Sequence, residues 1–210
     1  MTDKDDIDDE EEELKVILVG EMGTGKTSLI NTAIGLKFQE KLASTTTNSI
    51  MNKVMKINGK SYSINLWDTI GQEKYRSLTK IFLKGSKIVI FVYDITNLQS
   101  FQELNYWFDC TKDIINEKIV MGIVGNKSDL FLKEEVKESD ARELAKQKGF
   151  EFALTSAKDP LIFCEFLEKL VKKYLGEEVD DDDDDKGKKK KDKLNLIIFY
   201  INILYQIRLN

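Results

Sequence analysis

Leu14–Val19 is a short apolar run that feeds directly into a glycine-rich stretch, Gly20–Thr27, and Ser28–Ile34 continues with helical character. Residues 36–49 are polar and threonine-rich without a period, which predicts a loop. Ile50–Ile57 and Tyr62–Trp67 alternate apolar and polar positions around Asn58-Gly59, so they predict a hairpin closed by a two-residue turn. Lys87–Tyr93 and Ile119–Val124 are almost continuously apolar, as strands covered on both faces must be. Between them, Phe101, Leu104, Trp107, Phe108, Ile114 and Ile115 recur at helical spacing and predict a helix over Phe101–Ile115. Glu134–Lys148, Phe150–Leu154 and Leu161–Leu175 add helix, strand and helix. Strands alternating with helices predict an α/β fold: a mixed, mainly parallel sheet with helices on both faces and one antiparallel strand at an edge.

Composition divides the 210 residues into three parts. Residues 1–13 carry nine acidic side chains against Lys4, an expected disordered acidic tail. Residues 14–175 hold all the periodic elements and are expected to form one domain. In residues 176–210 the aspartates Asp180–Asp185 precede the lysine-rich stretch Lys186–Lys193 and an apolar end, Leu194–Ile207. That end is too short and too polar to span a bilayer, which takes about 20 predominantly apolar residues. Two readings stay open for it: an interfacial amphipathic helix behind the lysines, or a replacement of the true terminus. Cys110 and Cys164 are the two cysteines, both in helical segments, so a reducing compartment is expected. The chain has no histidine, which leaves its chemistry to carboxylates, hydroxyls, amides, lysines and a bound metal.

Four motifs follow predicted strands, all at the strands' carboxyl ends, where such sheets bind ligands. Gly20–Thr27 places two glycines four residues apart before Lys-Thr. Such a loop turns backbone N–H groups onto phosphates, which makes Glu21, Met22, Gly23, Thr24, Gly25, Lys26, Thr27 and Ser28 candidate phosphate contacts. Lys26 is expected to bridge the outer phosphates, and Thr27 to offer its hydroxyl to Mg²⁺. Asp68 ends a strand, where its carboxylate can reach the metal through water. Gly71 can present an N–H to the terminal phosphate, and Gln72, the candidate catalytic residue, can orient an attacking water. Asn126–Asp129 (Asn-Lys-Ser-Asp) selects the base: Asp129 accepts from guanine's ring N–H and exocyclic amine, donors that adenine lacks there. Asn126 ties the base loops together, Lys127 covers one face of the ring, and Ser156, Ala157 and Lys158 supply backbone N–H groups to the guanine carbonyl.

With these motifs in order, the chain resembles a Ras-superfamily small GTPase, a P-loop NTPase with a small G domain, and within it the Rab family of membrane-traffic switches. The Rab resemblance rests on Trp67–Glu73, Lys74–Ser86 and Val92–Trp107 and covers residues 14–175. It implies a five-helix, six-stranded fold, GTP/GDP and Mg²⁺ as ligands and slow GTP hydrolysis. It also implies an exchange factor, an activating protein and effectors that meet residues 40–85. The same resemblance makes Thr45 a Mg²⁺ and phosphate contact of the GTP state and Phe38 an aromatic against the guanine. A monomer that binds no nucleic acid is expected, cytoplasmic and acting at the cytosolic face of an endomembrane.

Four departures from the family pattern matter. Met22 and Ile70 put bulk near the terminal phosphate, which favours an alternative reading: a hydrolysis-impaired, GTP-bound interaction module. Ile50 stands where an aromatic would join Trp67 and Phe82 in the effector-reading surface. The end Arg208-Leu209-Asn210 has no cysteine for a prenyl anchor, so membrane association is left open. An ATP-dependent enzyme is disfavoured by Asn126–Asp129.

Overall fold

The computed structural model describes residues 12–40, 45, 49–69, 81–112 and 118–177. Ile70, Gly71, Gln72 and the whole of the tail from residue 178, with the sequence readings made for them, lie outside the described residues.

Six strands form one sheet: β1 Glu12–Val19, β2 Ser49–Ile57, β3 Lys60–Asp68, β4 Ile88–Asp94, β5 Val120–Asn126 and β6 Glu151–Leu154. Their order is β2-β3-β1-β4-β5-β6. β2 is the antiparallel edge strand, paired with β3 from Ile57↔Lys60 to Ser49↔Asp68; every other pairing is parallel. The predicted hairpin therefore forms, and Asn58 and Gly59 at its turn both take positive φ, 51° and 86°.

Alternation along the central strands assigns the helices to faces. Leu14, Val16 and Leu18 of β1 and Ile88, Ile90 and Val92 of β4 pack against α1 (Lys26–Ala33) and the C-terminal helix Pro160–Leu175. Ile17 and Val19 with Val89, Phe91 and Tyr93 pack on the other side, against residues of Leu98–Gln102, Leu104–Thr111 and Glu138–Lys148. We number these helices α2 (Leu98–Gln102), α3 (Leu104–Thr111), α4 (Glu138–Lys148) and α5 (Pro160–Leu175). A strand buried on both faces has no polar stripe to show, which is why β4 reads as seven consecutive buried residues.

Two predicted helices are corrected. The segment predicted as one helix over Phe101–Ile115 is, in its described part, two short helices meeting at Glu103. There Tyr106 N–H donates to the Glu103 carbonyl, one residue nearer than an α-helical partner, and tightens the turn. The helix predicted from Glu134 begins only at Glu138, because the backbone N–H groups of Glu135 and Val136 both donate to the Ile95 carbonyl. A 3₁₀-helix, Ser128–Lys133, fills the chain between that point and β5. α5 starts one residue earlier than expected: Asp159 caps it by accepting from Leu161 N–H, and Pro160 stands at the first turn.

At the hairpin end of the sheet, Asn58 donates to Glu177 at 2.7 Å, and Lys60 pairs with Glu12 at 3.3 Å. The opposite edge, where β1, β3, β5 and β6 end, carries the motifs.

Candidate functional site

A cleft of about 480 Å³ opens at the carboxyl edge of the strands. Its lining includes Met22, Gly23, Gly25, Lys26, Thr27 and Ser28 from the loop after β1, and Phe38 and Thr45 from the stretch before β2. Asn126, Lys127 and Asp129 after β5 and Ser156, Ala157 and Lys158 after β6 complete it. The structure thus brings together residues more than 130 positions apart. Thr24 and Asp68 are buried beside it, 1% exposed each.

The loop after β1 can bend where it does only because its glycines leave room. At Gly20 (φ 148°) an added Cβ would sit 2.1 Å from the Val92 carbonyl oxygen; at Gly25 (φ 91°) it would sit 2.3 Å from Asn126 Nδ2. That close approach lets Asn126 donate to the Thr24 carbonyl at 2.8 Å, fastening the end of β5 to the loop. Lys26 begins α1 and folds back, donating to the carbonyls of Gly20 (2.7 Å) and Glu21 (2.9 Å). Burial pulls its pKa down to about 8, with Asp68 and Glu21 opposing. A buried ammonium whose hydrogen bonds go to neutral carbonyls is an anion receptor in waiting.

Thr27, Thr45 and Asp68 converge. Thr27 Oγ1 donates to Asp68 Oδ2 at 2.7 Å and lies 2.7 Å from Thr45 Oγ1. Since the single Thr27 proton goes to Asp68, Thr45 is the donor of the second bond. Asp68 Oδ1 is buried without a partner, and burial raises the carboxyl's pKa against the Thr27 hydrogen bond and the Lys26 charge. An orphaned carboxylate oxygen beside two hydroxyls fits Mg²⁺, which takes few protein ligands and completes its octahedron with water and phosphate. Among the described residues no cluster of three His, Cys, Asp or Glu side chains offers a self-sufficient metal site.

At the other end of the cleft both oxygens of Asp129 are held: Ser156 Oγ donates to Oδ1 at 2.7 Å, and Lys158 Nζ pairs with Oδ2 at 2.8 Å. Burial works against the charged carboxyl, but those two groups outweigh it and its pKa is lowered. Lys158 Nζ also lies 5.8 Å from the Phe38 ring centroid, so the aromatic and the acceptor face the same space. Lys127 takes the left-handed conformation (φ 65°) and pairs with Asp94 Oδ2 at 2.6 Å. Asp94 is in turn fixed through Oδ1 by Thr96 N–H and Oγ1.

Sequence reasoning missed Asp94, Thr69 and Leu130. Asp94 ends β4 just as Asp68 ends β3, and that shared position was the available signal. Thr69 and Leu130 line the cleft, and Thr69 is held there by donating from Oγ1 to the Leu18 carbonyl at 2.6 Å.

Residues 15–176 match the family model described as Ras family. The chain belongs to the Ras family. The curated proteins it is similar to include Rab members. It is 38% identical over 161 residues to Ras-related protein Rab-21 of Geodia cydonium, covering 77% of this chain and 70% of that protein. Ras-related protein Rab5A of Oryza sativa subsp. japonica is 32% identical over 168 residues, 80% of this chain and 83% of that protein. Ras-related protein Rab-2B of Dictyostelium discoideum is 34% identical over 161 residues, 77% and 80%. The chain is therefore a Rab-like small GTPase, and its enzyme class is GTP hydrolase. In this Rab-like GTPase, no helix among the described residues is long and apolar enough to cross a membrane.

Proposed function

We propose that the cleft binds GTP and GDP with Mg²⁺, that GTP is hydrolysed slowly, and that the bound nucleotide switches the affinity for effectors in intracellular vesicle traffic. The observation that carries the reading is the polarity of the cleft: a base-selecting carboxylate at one end, an ammonium and a metal-type donor set at the other. In this reading Asp129 accepts guanine's two donors, taking over from Lys158, while Ser156 stays on Oδ1 and keeps the carboxylate aimed. Lys26 leaves the carbonyls of Gly20 and Glu21 for phosphate oxygens. Thr27 and Thr45 would offer their hydroxyl oxygens to the metal, and Asp68 would hold it through water. Mg²⁺, when bound, would neutralise phosphate charge. Exchange factor, activating protein and effectors are assigned to residues 40–85, on the cytosolic face of an endomembrane. Residues 14–175 are assigned to the G domain, to which β1 adds Glu12 and Glu13, and the remaining flanking residues to tails.

The test is a competition of GTP against ATP, run with Mg²⁺ and with a chelator. GTP should win by orders of magnitude, and Thr27→Asn should bias the protein to GDP by removing a hydroxyl ligand. Equal competition by ATP would sink the guanine assignment. Unchanged GTP affinity of Thr27→Asn in Mg²⁺ would remove Thr27 from the metal site.

A second reading, a long-lived GTP-bound scaffold, is favoured by Met22, which is 55% exposed on the wall of the cleft. Its thioether is free to occupy the space that an attacking water or an activating protein's side chain needs. Met22→Ser is expected to raise single-turnover hydrolysis by roughly threefold to tenfold, about 1 kcal/mol of barrier. A wild-type rate equal to the variant's would mean that the loop accommodates methionine without penalty.

A further inference from the structure

Within the apolar run Leu14–Val19, Lys15 is the one charged residue, on a strand third from the sheet's edge. Leu14 and Val16 face α1 and α5, so Lys15 shares the opposite face with Ile17 and Val19. Its ammonium donates to the carbonyls of Phe82 (2.6 Å) and Lys84 (2.9 Å) and lies 4.0 Å from the Trp67 ring centroid. An ammonium has three donors. Two go to carbonyls, and the indole's negative face takes the remaining side. Partial burial lowers its pKa.

The two carbonyls close a helical turn. Residues 81–83 are helical, Gly85 takes φ 75°, Ser86 N–H donates to the Leu83 carbonyl, and Leu83 is fully buried. A cation at a helix's carboxyl end is favourable in itself. Capping alone, however, does not account for Trp67. Trp67 immediately precedes Asp68, and successive side chains of a strand point to opposite faces. Asp68 reaches Thr27 in the cleft; Trp67 reaches Lys15 on the other side and pairs with Ile50, 53% exposed, on β2. Any shift at the end of β3 therefore reaches the backbone of both residues, and on the outer face the Trp67 ring meets the Lys15 ammonium.

We propose that Lys15 is a positioning residue of the switch: its ammonium staples Trp67 to the 82–84 turn, so that the nucleotide state felt at Asp68 is expressed on the outer face by Trp67 and the turn together. The inference rests on the nucleotide reading given under Proposed function.

The chain has two tryptophans, Trp67 and Trp107, and Trp107 is buried in the core. Full-length protein labelled with 5-fluorotryptophan gives one ¹⁹F resonance for each, assigned by the loss of one line in Trp67→Phe. Spectra are compared with GDP and with a non-hydrolysable GTP analogue. In wild type the Trp67 line should differ between the two states. Lys15→Met should collapse that difference, with Trp107 and both nucleotide affinities unchanged. Lys15→Arg, which keeps the cation and its donors, should restore most of it. A full wild-type difference in Lys15→Met overturns the proposal, as does a wild-type Trp67 line blind to the nucleotide. So does a Lys15→Met protein in which Trp107 and nucleotide affinity shift together, the mark of a merely structural role. A wild-type chain that binds neither nucleotide overturns the nucleotide reading and the inference with it, and affinity measurements on wild type alone reveal that case.

Discussion

Gly20→Ala is expected to cost about 3 kcal/mol of fold stability, a large share of what a domain of this size has. The new Cβ would lie 2.1 Å from the Val92 carbonyl oxygen, a backbone atom in the middle of β4 that cannot rotate away. Gly23→Ala is the matched control. Gly23 also has positive φ, 81°, but nothing lies within 4 Å of the added carbon, so only the conformational cost of roughly 1–2 kcal/mol remains. Urea unfolding of the two variants side by side measures the difference. Equal midpoints would mean that β1 and β4 separate easily at their ends, and that the close approach does not define the start of the loop.

The second large effect concerns the base. Asp129→Asn replaces an acceptor for two guanine donors with an amide, and should weaken GTP binding by about 3 kcal/mol, roughly a hundredfold. Xanthine nucleotides, which carry a carbonyl where guanine has its amine, should gain in compensation, since an amide can donate to that oxygen. Much of the variant's fold should be untouched: the Lys158 partner lost with the charge is half-exposed, and such exposed pairs contribute little to stability. Competition titrations with GTP and XTP provide the readout. A variant that keeps full preference for GTP would transfer base selection to some other group, and Asn126 would be the next residue to change.

What the sequence displayed and what it hid divide along physical lines. The phosphate loop, the hairpin turn and the two base loops were legible because their chemistry is local: a few adjacent residues must have particular shapes. The sheet was legible because β4 and β5 need apolar side chains on both faces while β2 needs them on one. The start of α4 was not legible, since Glu134–Lys137 has no helix-breaking residue. It is kept from joining the helix by a carbonyl forty positions away, that of Ile95. Nor was the division at Glu103, where the composition on both sides is equally helical. Asp94 escaped notice because its partner, Lys127, is on another strand's loop and takes a backbone conformation uncommon for lysine. Lys15 was visible as a letter but silent as a role, because its partners lie 52 to 69 residues away.

The bonds at the hairpin end have a consequence for orientation. Glu12 is held to Lys60 and Glu177 to Asn58, so Glu12 and Glu177 both stand beside the hairpin turn. The strands run from that end to the cleft, which places the cleft at the far pole, a strand's length away. A surface or probe fixed at Glu12 or Glu177 itself would therefore meet the domain at the end opposite the cleft. Nucleotide could then come and go unobstructed, and protein immobilised at either of those two residues should exchange it as readily as protein free in solution.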